Sequence, residues 1–185
     1  MQDLASHSIA FSIFFFDDIK EVISHMDTFI ERRNYKNKSK KVENFDNLKA
    51  ILKFNDGFSG SIESSRVFSG KKWDLSFEIQ GEFGSLFFNN ENMNEMYLYL
   101  QNKSKDQNGY IKLFPNKNDK YQKYFNPLDG FSLGFNDQKL IEVNQMIETF
   151  LNKKKSDYDI NFSHKISKIT HAIEKSFYKK SWQKV

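Results

Sequence analysis

The sequence predicts an α+β fold. Three observations carry that reading: helical apolar spacing near both ends of the chain, two-residue alternation through its middle, and two or three helices set against at least five strands. With 185 residues the chain suits one domain spanning 1–185. Its 38% hydrophobic content, including 20 Phe, is enough for a core.

Residues 4–16 have the apolar spacing of a helix. Residues 21–31 (EVISHMDTFIE) are rich in β-formers and predict a strand, followed by a basic loop. Leu48, Ala50, Leu52 and Phe54 then alternate with Lys49 and Lys53, Asn55-Asp56-Gly57 supplies a hairpin turn, and Phe58, Gly60 and Ile62 alternate on the return. Leu75, Phe77 and Ile79 make another alternating strand, Gly81 and Gly84 punctuate, and residues 85–88 and 96–100 follow, giving a mostly antiparallel meander. Residues 101–136 are irregular yet aromatic, and a connection of that length points to function. With Asn136 or Asp137 as N-cap, Leu140, Val143, Ile147 and Phe150 mark one helix face. Ser163 caps a last helix whose stripe is Phe162, Ile166, Ile169, Ile173 and Phe177. These helices cover one sheet face only. Apolar residues such as Ile51 and Phe87 on the other side imply self-association, as a homo-dimer or tetramer, through that second face.

Composition removes several functions. There is no Cys, so disulfides and thiolate metal sites are excluded, and no His or carboxylate cluster has ligand spacing. No apolar run approaches the roughly 18 residues of a membrane span, and the first residues lack the features of a signal peptide, so the expectation is a cytoplasmic protein with no membrane partner. The net charge of +4 gathers in residues 32–41 and 153–155. Without a nucleic-acid motif around them these read as solvated loops, with no nucleic-acid partner. G-x-G-x-x-G and G-x-x-x-x-G-K-[ST] are both missing, so the chain binds no nucleotide in a standard way; nor is there a G-x-S-x-G elbow.

One pair carries chemistry. Asp3 and His7 stand four apart in D-L-A-S-H, on one helix face with Ala10 and Phe14 continuing the stripe. A carboxylate beside an imidazole raises its basicity and can fix its tautomer, which suits proton abstraction from a hydroxyl. A macrodipole-favoured Asp beside a structural His would give the same spacing. His164 and His171 share a basic stripe with Lys168 and Lys175, and His25 falls in a strand without an evident role.

D-L-A-S-H at the head of an apolar helix, Asn55-Asp56-Gly57, Glu63-Ser64-Ser65-Arg66 and Gly70 resemble the C-terminal half of glucose-fructose oxidoreductase/inositol dehydrogenase (Gfo/Idh/MocA) family enzymes. The resemblance runs on in order through Phe77-Glu78-Ile79-Gln80-Gly81-Glu82-Phe83-Gly84-Ser85-Leu86, Glu91-Asn92-Met93-Asn94-Glu95-Met96, Leu133-Gly134-Phe135 with Phe150-Leu151, and Ser176 with Trp182. It implies a dihydrodipicolinate-reductase-like domain: an open, mostly antiparallel sheet with helices on one face and oligomerisation through the other. It also implies an NAD(P)-dependent oxidoreductase acting on a sugar or cyclitol, with His7 as proton acceptor, Asp3 as its partner and hydroxyl ligand, and Arg66, Tyr110, Tyr124 and Asn126 as candidate substrate contacts. Two departures stand out: Ala10 replaces an Asp often found three residues after the His, and the family's catalytic Lys belongs to a nucleotide-binding domain that is absent here. NAD or NADP is therefore expected in the full-length enzyme, with none bound by this fragment. The alternative is a stand-alone, non-catalytic scaffold or ligand-binding protein that associates through its sheet.

Overall fold

Alternation and turn chemistry place most elements of the computed structural model, which describes residues 2–101, 108–125, 128–153 and 155–185. The chain forms two compact units, Met1–Gly70 with Asp157–Val185, and Lys71–Ser156. Both are built on antiparallel sheets, so the α+β class holds.

In the first unit helix α1 (Gln2–Phe16) leads into β1 (Ile19–Asp27), β2 (Arg32–Tyr35), β3 (Lys38–Lys41), β4 (Asn47–Phe54) and β5 (Ser59–Ser65). Helix α4 (Ile160–Lys179) and β10 (Gln183–Lys184) return to it from the chain's other end, giving a four-stranded sheet in the order β10-β1-β4-β5. Strand β4 alternates without a fault: Leu48, Ala50, Leu52 and Phe54 are buried while Lys49, Ile51 and Lys53 face outward. Its turn closes as the sequence predicts, with Gly57 at φ +91° and the Phe54 and Phe58 rings stacked at 4.5 Å. Ala5, Ile9 and Ile13 of α1 and Ile169, Ala172 and Ile173 of α4 complete the core, α4 lying over β1 and α1 meeting both α4 and β5. The expected α4 stripe is the one buried: Phe162, Ile166 and Phe177 pack around that core.

A buried serine relay fixes α4 on the sheet. The Ser24 hydroxyl donates to the Ile173 carbonyl at 2.6 Å, the Ser24 N–H donates to Ser176 Oγ at 3.1 Å, and Ser176 in turn donates to the Ser181 carbonyl at 2.8 Å. Ser176 is fully buried, so each of these partners relieves a desolvated group.

The second unit carries β6 (Ser76–Gly81), β7 (Gly84–Asn89), β8 (Met96–Leu100) and β9 (Ile111–Leu113), an antiparallel sheet in sequence order, then α2 (Gln122–Phe125) and α3 (Phe135–Asn152). Register separates its faces. Phe77, Phe88, Met96 and Leu113 form one cross-strand row and Ile79, Leu86, Leu98 and Ile111 the next, an unbroken apolar face. Glu78, Phe87, Tyr97 and Lys112 lie opposite, among Gln80, Ser85 and Tyr99. Gly84 is required for contact distance: a Cβ there would lie 2.1 Å from the Tyr99 carbonyl oxygen.

Several expectations change. The single meander is two four-stranded sheets, one in each unit, and the strand expected over 21–31 runs from Ile19 to Asp27. Residues 32–41 are no loop but the β2–β3 hairpin, because Lys36 and Asn37 take left-handed φ values of 48° and 60° and close a two-residue turn. Helix α3 is capped by Gly134, whose N–H donates to the Asp137 carboxylate at 2.8 Å, and α4 by Asp159 instead of Ser163. The α3 stripe of Leu140, Val143, Ile147 and Phe150 is exposed, not buried. Ile51 is indeed on the face away from the helices, 48% exposed, but its neighbours there form ion pairs, Lys49 with Glu63 at 3.0 Å and Lys53 with Glu21 at 3.6 Å.

Candidate active site

Helix α1 presents two unlike faces. Ala5, Ile9 and Ile13 point into the core, and this leaves Asp3 and His7 together on the exposed side. Asp3 lies in the first turn, where the helix dipole favours a carboxylate.

The carboxylate does not turn to His7. Arg66, just past β5, donates from Nη2 to Asp3 Oδ2 in a short ion pair, and both side chains remain half or more exposed. Arg66 is placed by its own backbone, whose N–H donates to the Asp46 carbonyl at 2.9 Å. Asp46 is buried and takes the N–H groups of Phe29 and Ile30 at 2.7 and 2.9 Å. Burial alone would raise the Asp46 carboxyl, but those backbone donors, helped by the Arg33 charge, hold it below the usual carboxylate range. The chain therefore sets Arg66 against Asp3 through a buried anchor, and His7 stands beside the pair with its imidazole open to solvent.

The remaining candidates lie apart from this cluster in sequence and belong to the second unit. Tyr110 accepts from Ser85 Oγ at 3.1 Å and donates weakly to Glu78 Oε1 at 3.5 Å, on the polar face of the second sheet. Tyr124, in α2, is 71% exposed with the Lys123 ammonium 5.0 Å from its ring centre. Asn126 lies outside the described residues. Within the first unit, then, Asp3, His7 and Arg66 share one neighbourhood.

The motif Glu91-Asn92-Met93-Asn94-Glu95 turns out to be a bracing segment. Glu91 Oε1 accepts the N–H groups of Lys72 and Trp73, the Asn94 amide both donates to and accepts from the Leu133 backbone at 2.9 Å, and Glu95 pairs with Lys112 at 2.9 Å. What sequence reasoning missed is the Asp46 anchor and the identity of Asp3's partner. No spacing rule joins residues 63 positions apart, so no sequence signal could have found that pair.

Two absences concern ligands. Among the described residues no group of three or more His, Cys, Asp or Glu could hold a metal ion, and no helix is long and apolar enough to cross a membrane. The glycines before α3 do not fit a dinucleotide either. The Gly134 N–H at that helix start is already taken by the Asp137 carboxylate, which would repel a phosphate.

Residues 1–87, which hold Asp3, His7 and Arg66, match the model of the GFO/IDH/MocA C-terminal domain. Over 137 residues, 74% of this chain and 35% of the other, the protein is 24% identical to levoglucosan dehydrogenase of Pseudarthrobacter phenanthrenivorans. An NAD binding oxidoreductase from Klebsiella pneumoniae superposes on it with a TM-score of 0.93 at 27% identity, covering 99% of this chain and 49% of that one. A levoglucosan dehydrogenase in complex with NADH and L-sorbose gives a TM-score of 0.92 at 24% identity, with the same coverage. The chain thus spans about half the length of these solved structures and about a third of the levoglucosan dehydrogenase sequence.

Proposed function

We propose that this chain is the substrate-facing and self-associating domain of an NAD(P)-dependent oxidoreductase acting on a sugar or cyclitol in the cytoplasm, working with a nucleotide-binding domain that its own residues do not supply. The observation that carries this reading is the cluster of Asp3, His7 and Arg66 on the solvent side of α1, within the segment that matches the family. His7 accepts the carbinol proton, while Asp3, oriented by Arg66, orders the substrate hydroxyl. A nicotinamide cofactor held by a nucleotide-binding domain would supply the hydride acceptor. Support for the substrate class comes from relatives whose complexes contain NADH with L-sorbose or with levoglucosan. Tyr110, Tyr124 and Asn126 are proposed as further contacts.

Self-association through a sheet is part of the same proposal. The apolar rows of the second sheet support it better than the outer face of the first, where ion pairs surround Ile51. That same apolar face also supports the second reading, a non-catalytic scaffold.

The test joins this chain, in fusion or by co-expression, to the nucleotide-binding half of a levoglucosan dehydrogenase and assays sugars and cyclitols with NAD and NADP. Cofactor reduction that depends on His7 is expected, with the isolated chain neither binding NADH at micromolar concentration nor turning over. Assembly without activity on any polyol would favour the scaffold.

A further inference from the structure

The segment between Arg32 and Lys41 carries six cations and no acid, and the fold turns it into an ordered ribbon. Pairing places Arg32 opposite Lys41 and Arg33 opposite Lys40, so like charges face each other across both rows nearest the base. Such pairs work against a hairpin. Among the described residues no ion pair joins any of the six to a carboxylate. Arg32 instead spends its donors on Ser39, at 2.9 Å to Oγ and 3.2 Å to the carbonyl.

The ribbon is nonetheless held firmly at its base. The Val42 N–H donates to the Glu31 carbonyl at 2.8 Å, the Asp46 N–H to the Asp27 carbonyl at 3.0 Å, and the Asp46 carboxylate gathers Phe29 and Ile30. All eight strand residues are exposed. Because side chains alternate along a strand, Arg32, Asn34, Ser39 and Lys41 lie on one side, and Arg33, Tyr35, Lys38 and Lys40 on the other. Tyr35 is 59% exposed, with the ammonium groups of Lys36 and Lys40 at 5.4 and 5.8 Å from its ring centre.

Charge on both sides of a thin ribbon selects among polyanions. A flat acidic protein surface or an anionic bilayer can meet one side at a time, whereas a duplex groove brings phosphates along both walls, and the major groove admits a two-stranded β-ribbon. We propose that the β2–β3 hairpin is a binding arm for double-stranded nucleic acid, which it would grip by its phosphates with no sequence preference. The expectation of a solvated loop with no nucleic-acid partner rested on a segment without a frame; the hairpin supplies the frame. This inference stands independently of the oxidoreductase reading.

The test is fluorescence anisotropy of a short mixed-sequence DNA duplex titrated with the whole chain at several salt concentrations. Log affinity should fall with log salt at a slope of about −5, as six phosphate contacts require. Two variants neutralise one side each, Arg33→Gln/Lys38→Gln/Lys40→Gln and Arg32→Gln/Lys41→Gln, and each should weaken binding at least tenfold and flatten the slope. Circular dichroism should show both folded, since the changes remove like-charge pairs from exposed positions. The wild-type slope gives a reading that needs no variant. No binding at low salt, binding indifferent to both variants, or tighter binding to phosphatidylserine vesicles or a polyglutamate peptide than to the duplex would each overturn the proposal. Sensitivity to one side alone would do the same, because a groove engages both.

Discussion

Arg66 and Asp3 form an ion pair that joins the end of β5 to the first turn of α1, so the carboxylate one helical turn before His7 is held by a guanidinium. Asp3 is thus oriented from across the fold, and under the proposed function His7 would take the carbinol proton beside a carboxylate already paired with Arg66.

In an enzyme assembled with a nucleotide-binding half, His7→Ala should lower turnover by about two to four orders of magnitude, the usual worth of general acid–base catalysis. Asp3→Asn and Arg66→Gln should each cost less, and the double variant little more than the larger single one, because the two side chains act as a unit. All three should leave the melting temperature nearly unchanged, since an exposed ion pair contributes little to stability. Steady-state kinetics and calorimetry on the same proteins would check this, and unchanged turnover in a destabilised His7→Ala protein would make the helix pair structural.

Asp46 supplies a stability prediction with a definite sign. Its folded carboxyl is held below the unfolded value of about 3.9, so the stabilisation it gives is fully present above that pH and is lost as pH falls through the lowered folded value. Asp46→Asn should cost about 1–3 kcal/mol near neutral pH, since the Phe29 and Ile30 N–H groups use different carboxylate oxygens and the Asn NH2 group would set a donor against one of them, and should flatten the acid limb. Urea titrations between pH 3 and 7 would measure both effects; parallel curves for the two proteins would contradict the assignment.

Gly84→Ala should destabilise the second unit, since the added carbon would lie 2.1 Å from a backbone oxygen that cannot swing aside. A loss of about 1–3 kcal/mol is expected from such overpacking. Hydrogen exchange should place the weakening in β7 and β8, and protection equal to that of the native chain would refute the prediction.

Ile111 and Leu113 are the most exposed of the apolar rows, at 42% and 40%, on edge strand β9. If the chain associates through this face, Ile111→Lys/Leu113→Lys should convert a dimer or tetramer to a monomer with its secondary structure intact. Light scattering would read the change; a native chain that is already monomeric at micromolar concentration would end the proposal.

The sequence and the structure agree where one local rule decides. In β4 the period of two, bounded by Asn55-Asp56-Gly57, leaves one arrangement that hides Leu48, Leu52 and Phe54, and the last helix shows its buried stripe equally clearly. Agreement fails where competing local signals are close in strength. Cations repelling across the 32–41 segment hide a two-residue turn, and at α3 the Asp137 carboxylate reaches back to Gly134 and moves the cap upstream. The candidate site was half legible. Helical spacing brings Asp3 and His7 to one face, but pairing with Arg66 depends on which strand ends beside α1, and that is tertiary information.

The serine relay has a consequence for biosynthesis. Ser24 is synthesised well before Ser176 and Ser181, with the whole of Lys71–Ser156 made in between. Helix α1 and strand β1 must therefore leave part of the surface of Ile9, Ile13 and Val22 uncovered until α4 has been made. Contacts separated by about 150 residues are slow to close, and a chain released before α4 would leave that apolar surface bare. A variant of this chain truncated ahead of Ile160 should therefore aggregate, with α1 and β1 carrying the uncovered surface.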